Sequence, residues 1–407
     1  MGKELNMIYI QIKKLFEGDY LNGKKNGHGI EYYEYDKIKF EGEYLNGKRN
    51  GIVKEYYING LLLFEGKYSN GKRNGNGREY YDDGKIHYIC EFLNDEKNGK
   101  GKEYNNKGII IYRGEYSNGK RNGKGKEYDN KGIIIYEGEY SNDKRSGKGK
   151  GKEFYKTGEL LFEGEYLNNE RNGNGKEYNS NGYLFFEGEY LNWKKNGKGK
   201  EYNKNDILSF EGDYLNGKKN GKGKKYDEYG IIEYEGDYIN DNIIKKRIYE
   251  NDGNLKVEYE YFNNITHGKE FYKNGKTKFE GIILDNGKSG KFYNKNGFLL
   301  FEGTYNNGKK NGEAKEYYKN GKLKFEGNYL NDRILNAIIY NYNGNEFYEI
   351  KNGNGKFKEY NFEGILEYEG SYYEGERSGN GKEYINNKLF YEGEFLKGKK
   401  MDIKRIW

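Results

Sequence analysis

Along most of this chain apolar and polar residues alternate with period two in short runs. Ile38, Phe40, Gly42 and Tyr44 share one parity, and Glu41 and Glu43 take the other. Successive side chains of a strand point to opposite faces, so seven alternating residues with Ile, Phe and Tyr at the apolar positions predict a β-strand buried on one side. The next segment, Asn46-Gly47-Lys48-Arg49-Asn50-Gly51, is rich in residues that accept positive φ and reads as a turn. A second strand follows, as in Gly123-Lys124-Gly125-Lys126-Glu127-Tyr128, and a further turn such as Asn130-Lys131-Gly132 leads into the next copy. Each copy is a β-hairpin.

Counting the leading aromatic as position zero, units begin at Phe16, Phe40, Phe64, Tyr88, Tyr112, Tyr136, Phe162, Phe186, Phe210, Tyr234, Tyr259, Phe279, Phe301, Phe325, Tyr348, Tyr368 and Tyr391. Eight of the first nine intervals are 24 residues; the exception, 26, carries an extra Gly-Lys pair within Lys148 to Lys152. From Tyr259 onward the intervals wander between 20 and 25. A fixed period of this size marks an array whose units contact mainly their neighbours. The expected fold is all-β: an elongated, single-layer antiparallel meander of seventeen hairpins, repetitive and solenoid-like. Its expected parts are an N-terminal cap (1–15), a regular array (16–258), an irregular array (259–398), which reads as decay of the repeat or, alternatively, as a bend or partner-specific surface, and a C-terminal tail (399–407). The glycine at +2 leaves room for a ring against the backbone, so alanine there is expected to be harmful.

Composition changes this picture in a few places. Hydrophobic residues make up only 33% of the chain, which points to a thin structure without a deep core. The 47 tyrosines at fixed offsets argue against disorder, whose sequences lack both aromatics and strict period. Cys90 is the sole cysteine, so no intrachain disulfide forms, and a reducing compartment is the simpler reading. With no signal-peptide core and no membrane-length apolar run, a cytoplasmic location is expected, at most peripheral to a membrane.

Enzyme chemistry is not expected. Gly287-Lys288-Ser289 and Gly275-Lys276-Thr277 look like the end of a P-loop, but the upstream glycine positions hold Ile282 and Glu270. His28, His87 and His267 lie in different units and do not cluster with Cys90 as metal ligands, so neither a cofactor nor a metal is anticipated. Cys90 reads as drift at a glycine position.

The pattern aromatic-Glu-Gly-acid-Tyr followed by Asn-Gly-Lys-Lys/Arg-Asn-Gly-x-Gly closely resembles the MORN repeat, in its longer variant. Thirteen of the seventeen units keep aromatic-Glu-Gly, and the resemblance spans residues 16 to about 400. It implies a single-layered antiparallel sheet with an open aromatic groove. The units at Tyr88, Tyr259 and Tyr348 lose the Glu-Gly step and Arg113 replaces the acid in another, so continuity of the groove hangs on those units.

Two candidate surfaces follow. Basic pairs at +8 and +9, namely Lys24-Lys25, Lys48-Arg49, Lys72-Arg73, Lys120-Arg121, Lys144-Arg145, Lys194-Lys195 and Lys218-Lys219, are expected to form a ridge for an anion or phospholipid headgroup. The candidate groove is lined by Phe40, Tyr44, Phe64, Tyr68, Tyr112, Tyr116, Tyr136, Tyr140, Phe186, Tyr190, Phe210 and Tyr214. The leading expectation is a non-enzymatic scaffold that binds protein partners through groove and charged edge. The alternative is a peripheral membrane module for anionic phospholipid; a third, carried by bacterial relatives of the longer repeat, is an antitoxin-like binding protein. Pairing of two copies is compatible with all three. Nucleic acid is disfavoured by the strand carboxylates, and no small-molecule substrate is anticipated.

Overall fold

The structure, a computed structural model, describes residues 14–401. These are strands and turns with one short 3-10 turn at Glu34–Asp36, and no α-helix among the described residues. The expected cap before residue 14 and the tail beyond 401 lie outside the described residues. The chain divides into two compact units, Met1–Lys218 and Lys219–Trp407.

In the first unit each repeat is a pair of antiparallel strands, for example Ile38–Leu45 and Lys48–Tyr56. The connection is only the dipeptide Asn46-Gly47, with φ of +51° and +84°. Two successive residues at positive φ make the tight turn whose twist matches that of the flanking strands, which is why Asn-Gly stands here. Lys48 to Gly51 therefore do not belong to the turn, as the sequence reading had them; they open the second strand, with Leu45 opposite Lys48 and Tyr44 opposite Arg49. The second Asn-Gly, Asn50-Gly51, sits where the register shifts between Gly42 and Glu43, and Gly51 takes φ +72°. It is a bulge, not a turn, because two extra residues on one strand need one at positive φ. The carbonyl just before the bulge is taken up by the next unit: Gly71 N donates to Arg49 O at 2.9 Å.

The second turn is held by its first side chain. Asp129 Oδ1 accepts from Lys131 N at 2.8 Å and Ile133 N at 2.9 Å, and Asn203 does the same for Asn205 and Ile207. This is the local bonding that makes Asx residues favour turns.

Successive pairings align the +2 and +13 positions into one row across the sheet, including Gly164, Gly175, Gly188, Gly199 and Gly212. The row exists because rings lie on it. A Cβ on Gly175 would come 2.3 Å from Phe162 Cζ, and one on Gly164 would come 2.6 Å from the same atom and 2.7 Å from the backbone of Gly175. Where a side chain enters the row in the first unit it is flanked by glycine, as with Val53 between Gly42 and Gly66 and Cys90 between Gly77 and Gly101.

The second unit keeps the hairpin plan less strictly. The Tyr259 unit pairs without a bulge, and aliphatic Ile334, Ile339 and Ile350 pack with Phe325, Tyr329 and Phe357 into one apolar cluster. Strand pairing is interrupted between Phe347–Ile350 and Gly355–Tyr360, after which a separate five-stranded sheet runs to Lys400. The interruption lies inside the region where the sequence loses its spacing.

Candidate functional site

Strand alternation sends the 0 and +4 aromatics to one face, and there they bury one another. All twelve candidate groove residues are between 0% and 5% exposed. In the regular repeats a +4 ring sits edge-on between two leading rings: Tyr190 lies 5.2 Å from Phe162 and 5.7 Å from Phe186, and Tyr140 lies 5.2 Å from Tyr112 and 5.6 Å from Tyr136. Edge-to-face geometry suits the positive rim and negative face of aromatic rings. The open groove implied by the family resemblance is therefore a closed file of rings.

The file is interrupted at Tyr88. There the Cys90 Cβ occupies the space that glycine leaves elsewhere, and Tyr88 packs instead on His87, which also stacks on Tyr81. Cys90 is buried, and burial pushes its thiol up to about 12. Since the thiolate is the reactive form, a thiol-specific alkylating reagent at pH 7 is expected to leave the native protein unmodified and to label it in denaturant. Stoichiometric native labelling, read by intact mass, would contradict this burial.

The second residue of each basic pair completes the ring face. Arg49, Arg73, Arg121 and Arg145, and Arg171 at the same position after Glu170, stack on the leading rings Phe40, Phe64, Tyr112, Tyr136 and Phe162 at 4.0 to 4.3 Å. Each also pairs with a glutamate of the preceding repeat: Arg49 with Glu31 at 2.5 Å, Arg121 with Glu103 at 2.7 Å and Arg171 with Glu153 at 2.5 Å. Lys25 and Lys195 occupy the same place over Phe16 and Phe186. Lys219 in the second unit is half-buried as well, and its backbone amide donates to Asp241. Burial pushes the Glu31 carboxyl up, but hydrogen bonds from Lys25 and Arg49 outweigh that and hold it at about 2. Its folded value lies below the unfolded one near 4.3, so its contribution is complete above that pH and disappears as pH falls through about 2.

The first residue of each pair points away. Lys24, Lys48, Lys72, Lys120, Lys144, Lys194 and Lys218 are all exposed. The basic pairs thus do not form one ridge of adjacent cations; alternation assigns one member to the ring face and leaves the other at the hairpin tip. At the tip each exposed lysine has an aliphatic or serine partner across the turn, as in Leu45 with Lys48, Leu191 with Lys194 and Ser69 with Lys72. Sequence reasoning did not single out these exposed leucines, although position +5 repeats as regularly as the others.

One tip residue stands apart. Trp193 replaces the turn glycine, takes φ +69° and is 46% exposed. Asp and Asn fill the same position in other repeats at similar φ, but a bulky ring there is a costly choice.

Among the described residues no group of three or more His, Cys, Asp and Glu side chains is placed to hold a metal ion, and no helix is long and apolar enough to cross a membrane. Gly275 lies in a hairpin turn, and Gly287-Lys288-Ser289 opens the strand Gly287–Tyr293, so neither precedes the helix that a P-loop needs.

The family pattern described as MORN repeat matches residues 16–34, 40–61, 64–86, 88–109, 112–133, 136–150, 162–182, 210–227, 301–322 and 368–388, half of the chain. The chain belongs to the MORN-repeat family, a family of repeat scaffolds that are generally non-enzymatic and commonly serve protein or membrane interaction. Among curated proteins none matches it. Among solved structures it is similar to "Crystal Structure of TcdB2-TccC3 without hypervariable C-terminal region", at 10% identity and a TM-score of 0.17 over 88% of this chain and 21% of that one. A second, "Crystal Structure of TcdB2-TccC3-TEV", gives 10% identity and a TM-score of 0.14 over 89% of this chain and 22% of that one. The chain spans about a fifth of the length of those proteins.

Proposed function

We propose that this chain is a non-enzymatic interaction scaffold whose working surface is the edge of hairpin tips. What supports this reading is Trp193, an exposed bulky residue held at positive φ between Leu191 and Lys194. Backbone strain of this kind costs on the order of 1–3 kcal/mol and persists where a surface needs the side chain more than the fold does. The rings that the sequence nominated are spent on the fold, so a partner meets the tips instead. The partner is a protein surface with apolar pockets rimmed by acids, matching leucines and lysines that alternate along one edge.

The same edge supports a second reading, docking on an anionic bilayer. Exposed leucines, a tryptophan and lysines in one line are the residue types that sit at a membrane–water interface. Sedimentation with anionic vesicles at low and high salt separates the two, because each lysine near such a surface adds ~1 kcal/mol that salt screens. Salt-sensitive binding supports the membrane reading, and no binding even at low salt removes it.

Trp193→Gly tests the tip itself. Relief of the left-handed strain is expected to raise stability by roughly 1 kcal/mol in urea unfolding, less the entropy that glycine adds to the unfolded chain. The same variant is expected to weaken partner or vesicle binding at least fivefold. Binding unchanged in this variant and in Leu191→Asn would sink the tip as the working surface.

A further inference from the structure

The face opposite the rings carries a charge pattern with one defect. Residues at +1 and +14 alternate along it through cross-strand pairs, and where the repeat is regular they are acid and base in turn: Glu137 faces Lys126 on one side and Lys152 on the other, and Glu163 faces Lys152 and Lys176. The carboxylates close ion pairs across this row, Lys126 to Glu137 at 3.0 Å and Lys176 to Glu187 at 3.3 Å. Each +1 glutamate can also accept from the +16 tyrosine of its own repeat, as Glu41 does from Tyr56 at 3.1 Å and Glu65 from Tyr80 at 2.7 Å.

Two successive repeats lose that acid. Ile89 and Arg113 stand where glutamate belongs, so the row runs Arg78, Ile89, Lys102, Arg113, Lys126 with no carboxylate among them. Lys102 and Arg113 are directly opposed, and neither has an ion pair among the described residues. Tyr128, deprived of its glutamate, keeps a free hydroxyl. Around Arg113 lies an open cleft of roughly 940 Å³, lined by seven cationic side chains against the three carboxylates of Glu115, Glu137 and Glu139.

We propose that this cleft is a binding site for a small anion carrying two or more phosphate groups, seated on Arg113 with Lys102 and Lys126 on the adjacent strands, Lys100 and Lys124 at its margin, and Tyr128 donating a hydrogen bond. Like charges brought together without an intervening carboxylate repel, and the favourable way to relieve that is a counter-ion of high charge in little volume. Phosphate supplies about −1.5 to −2 per group with several acceptor oxygens, and a guanidinium offers it a two-pronged donor. An acidic peptide spreads one charge over ~3.3 Å of backbone and so brings less charge to the opposed Lys102 and Arg113. The site lies on a different face from the hairpin tips and is independent of them.

Titration calorimetry of the full chain with sodium tripolyphosphate at 50 and 150 mM salt tests it. One saturable site is expected. Arg113→Glu, which restores the residue found in neighbouring repeats and so preserves folding, is expected to weaken binding tenfold or more with an unchanged urea midpoint. Tyr128→Phe should weaken it two- to fivefold. Lys200→Glu makes the same charge change elsewhere on this face and should stay within twofold. No saturable binding by the wild type, no loss in Arg113→Glu, or an equal loss in Lys200→Glu would each overturn the proposal. Phosphatidylcholine vesicles with and without phosphatidylinositol bisphosphate identify the source. Sedimentation with the phosphorylated lipid that Arg113→Glu abolishes makes the ligand a lipid headgroup, and tripolyphosphate binding without sedimentation makes it a soluble phosphate.

Discussion

Arg171→Ala is expected to destabilise the first unit by ~3 kcal/mol. The reason is what the variant leaves behind. Arg171 and Glu153 are the buried charged residues among the described residues, at 9% and 8% exposure, and they meet at 2.5 Å. The same guanidinium bonds Glu177 at 2.6 Å and covers the Phe162 ring at 4.1 Å. Removing it leaves the desolvated Glu153 carboxylate with only the longer Arg145 contact at 3.5 Å, and an under-compensated buried charge costs far more than an ion pair contributes at the surface. The loss of the ring contact adds to this. Arg171→Lys should recover most of the stability, because Lys195 does the same work over Phe186 at 3.8 Å in the next repeat. In a repeat array the damage is local, so hydrogen exchange should rise first in Gly147–Phe154 and Glu170–Tyr178. An Arg171→Ala protein within 0.5 kcal/mol of wild type, a margin typical of surface substitutions, would show that water reaches this pair.

The second large effect is a pair of alanines in the glycine row. Gly175→Ala alone places a methyl 2.3 Å from Phe162 Cζ, and the ring has neighbours that resist its moving. Overpacking of this kind costs ~1–3 kcal/mol. Adding Gly164→Ala brings a second methyl 2.7 Å from the Gly175 backbone, where strand separation is the only escape. The double variant is therefore expected to lose more than the two single losses combined, by at least 1 kcal/mol, a coupling characteristic of residues in contact. The chain itself displays the rule in its first unit: Val53 and Cys90 enter the row singly, each between two glycines. Additive losses in a urea-unfolding double-mutant cycle would mean that the rings can yield, and that the row is not kept clear for them.

Much of the fold was legible because it is local and repeated. Alternation at Ile38 to Tyr44 announces a strand with one buried side, and Asn-Gly announces tight geometry, whatever lies elsewhere. What could not be read was which of two Asn-Gly steps turns the chain. Asn46-Gly47 and Asn50-Gly51 satisfy the same backbone preference, and only the pairing of Gly42 with Val53 and Tyr44 with Arg49 makes the first a turn and the second a bulge. That assignment decides the site. With Lys48 and Arg49 in a strand, their side chains take opposite faces and a supposed basic ridge becomes one tip cation and one ring-face cation. The groove misled for a related reason: a list of aromatics does not say whether they cover one another, which depends on glycines two residues away and on an arginine from the next strand.

The residues alone specified a repeat, its period, its hairpins and the parity of each first strand, since these follow from preferences that act over a few neighbouring positions. The spatial arrangement alone settled which charges neutralise each other and which stay free, because the ring-face ion pairs join residues 6 to 18 positions apart along the chain and are chosen by register across strands. Arg113 shows both sides of this division: its oddity is visible in the written sequence, but only its position between Lys102 and Lys126 turns a single substitution into a concentration of positive charge.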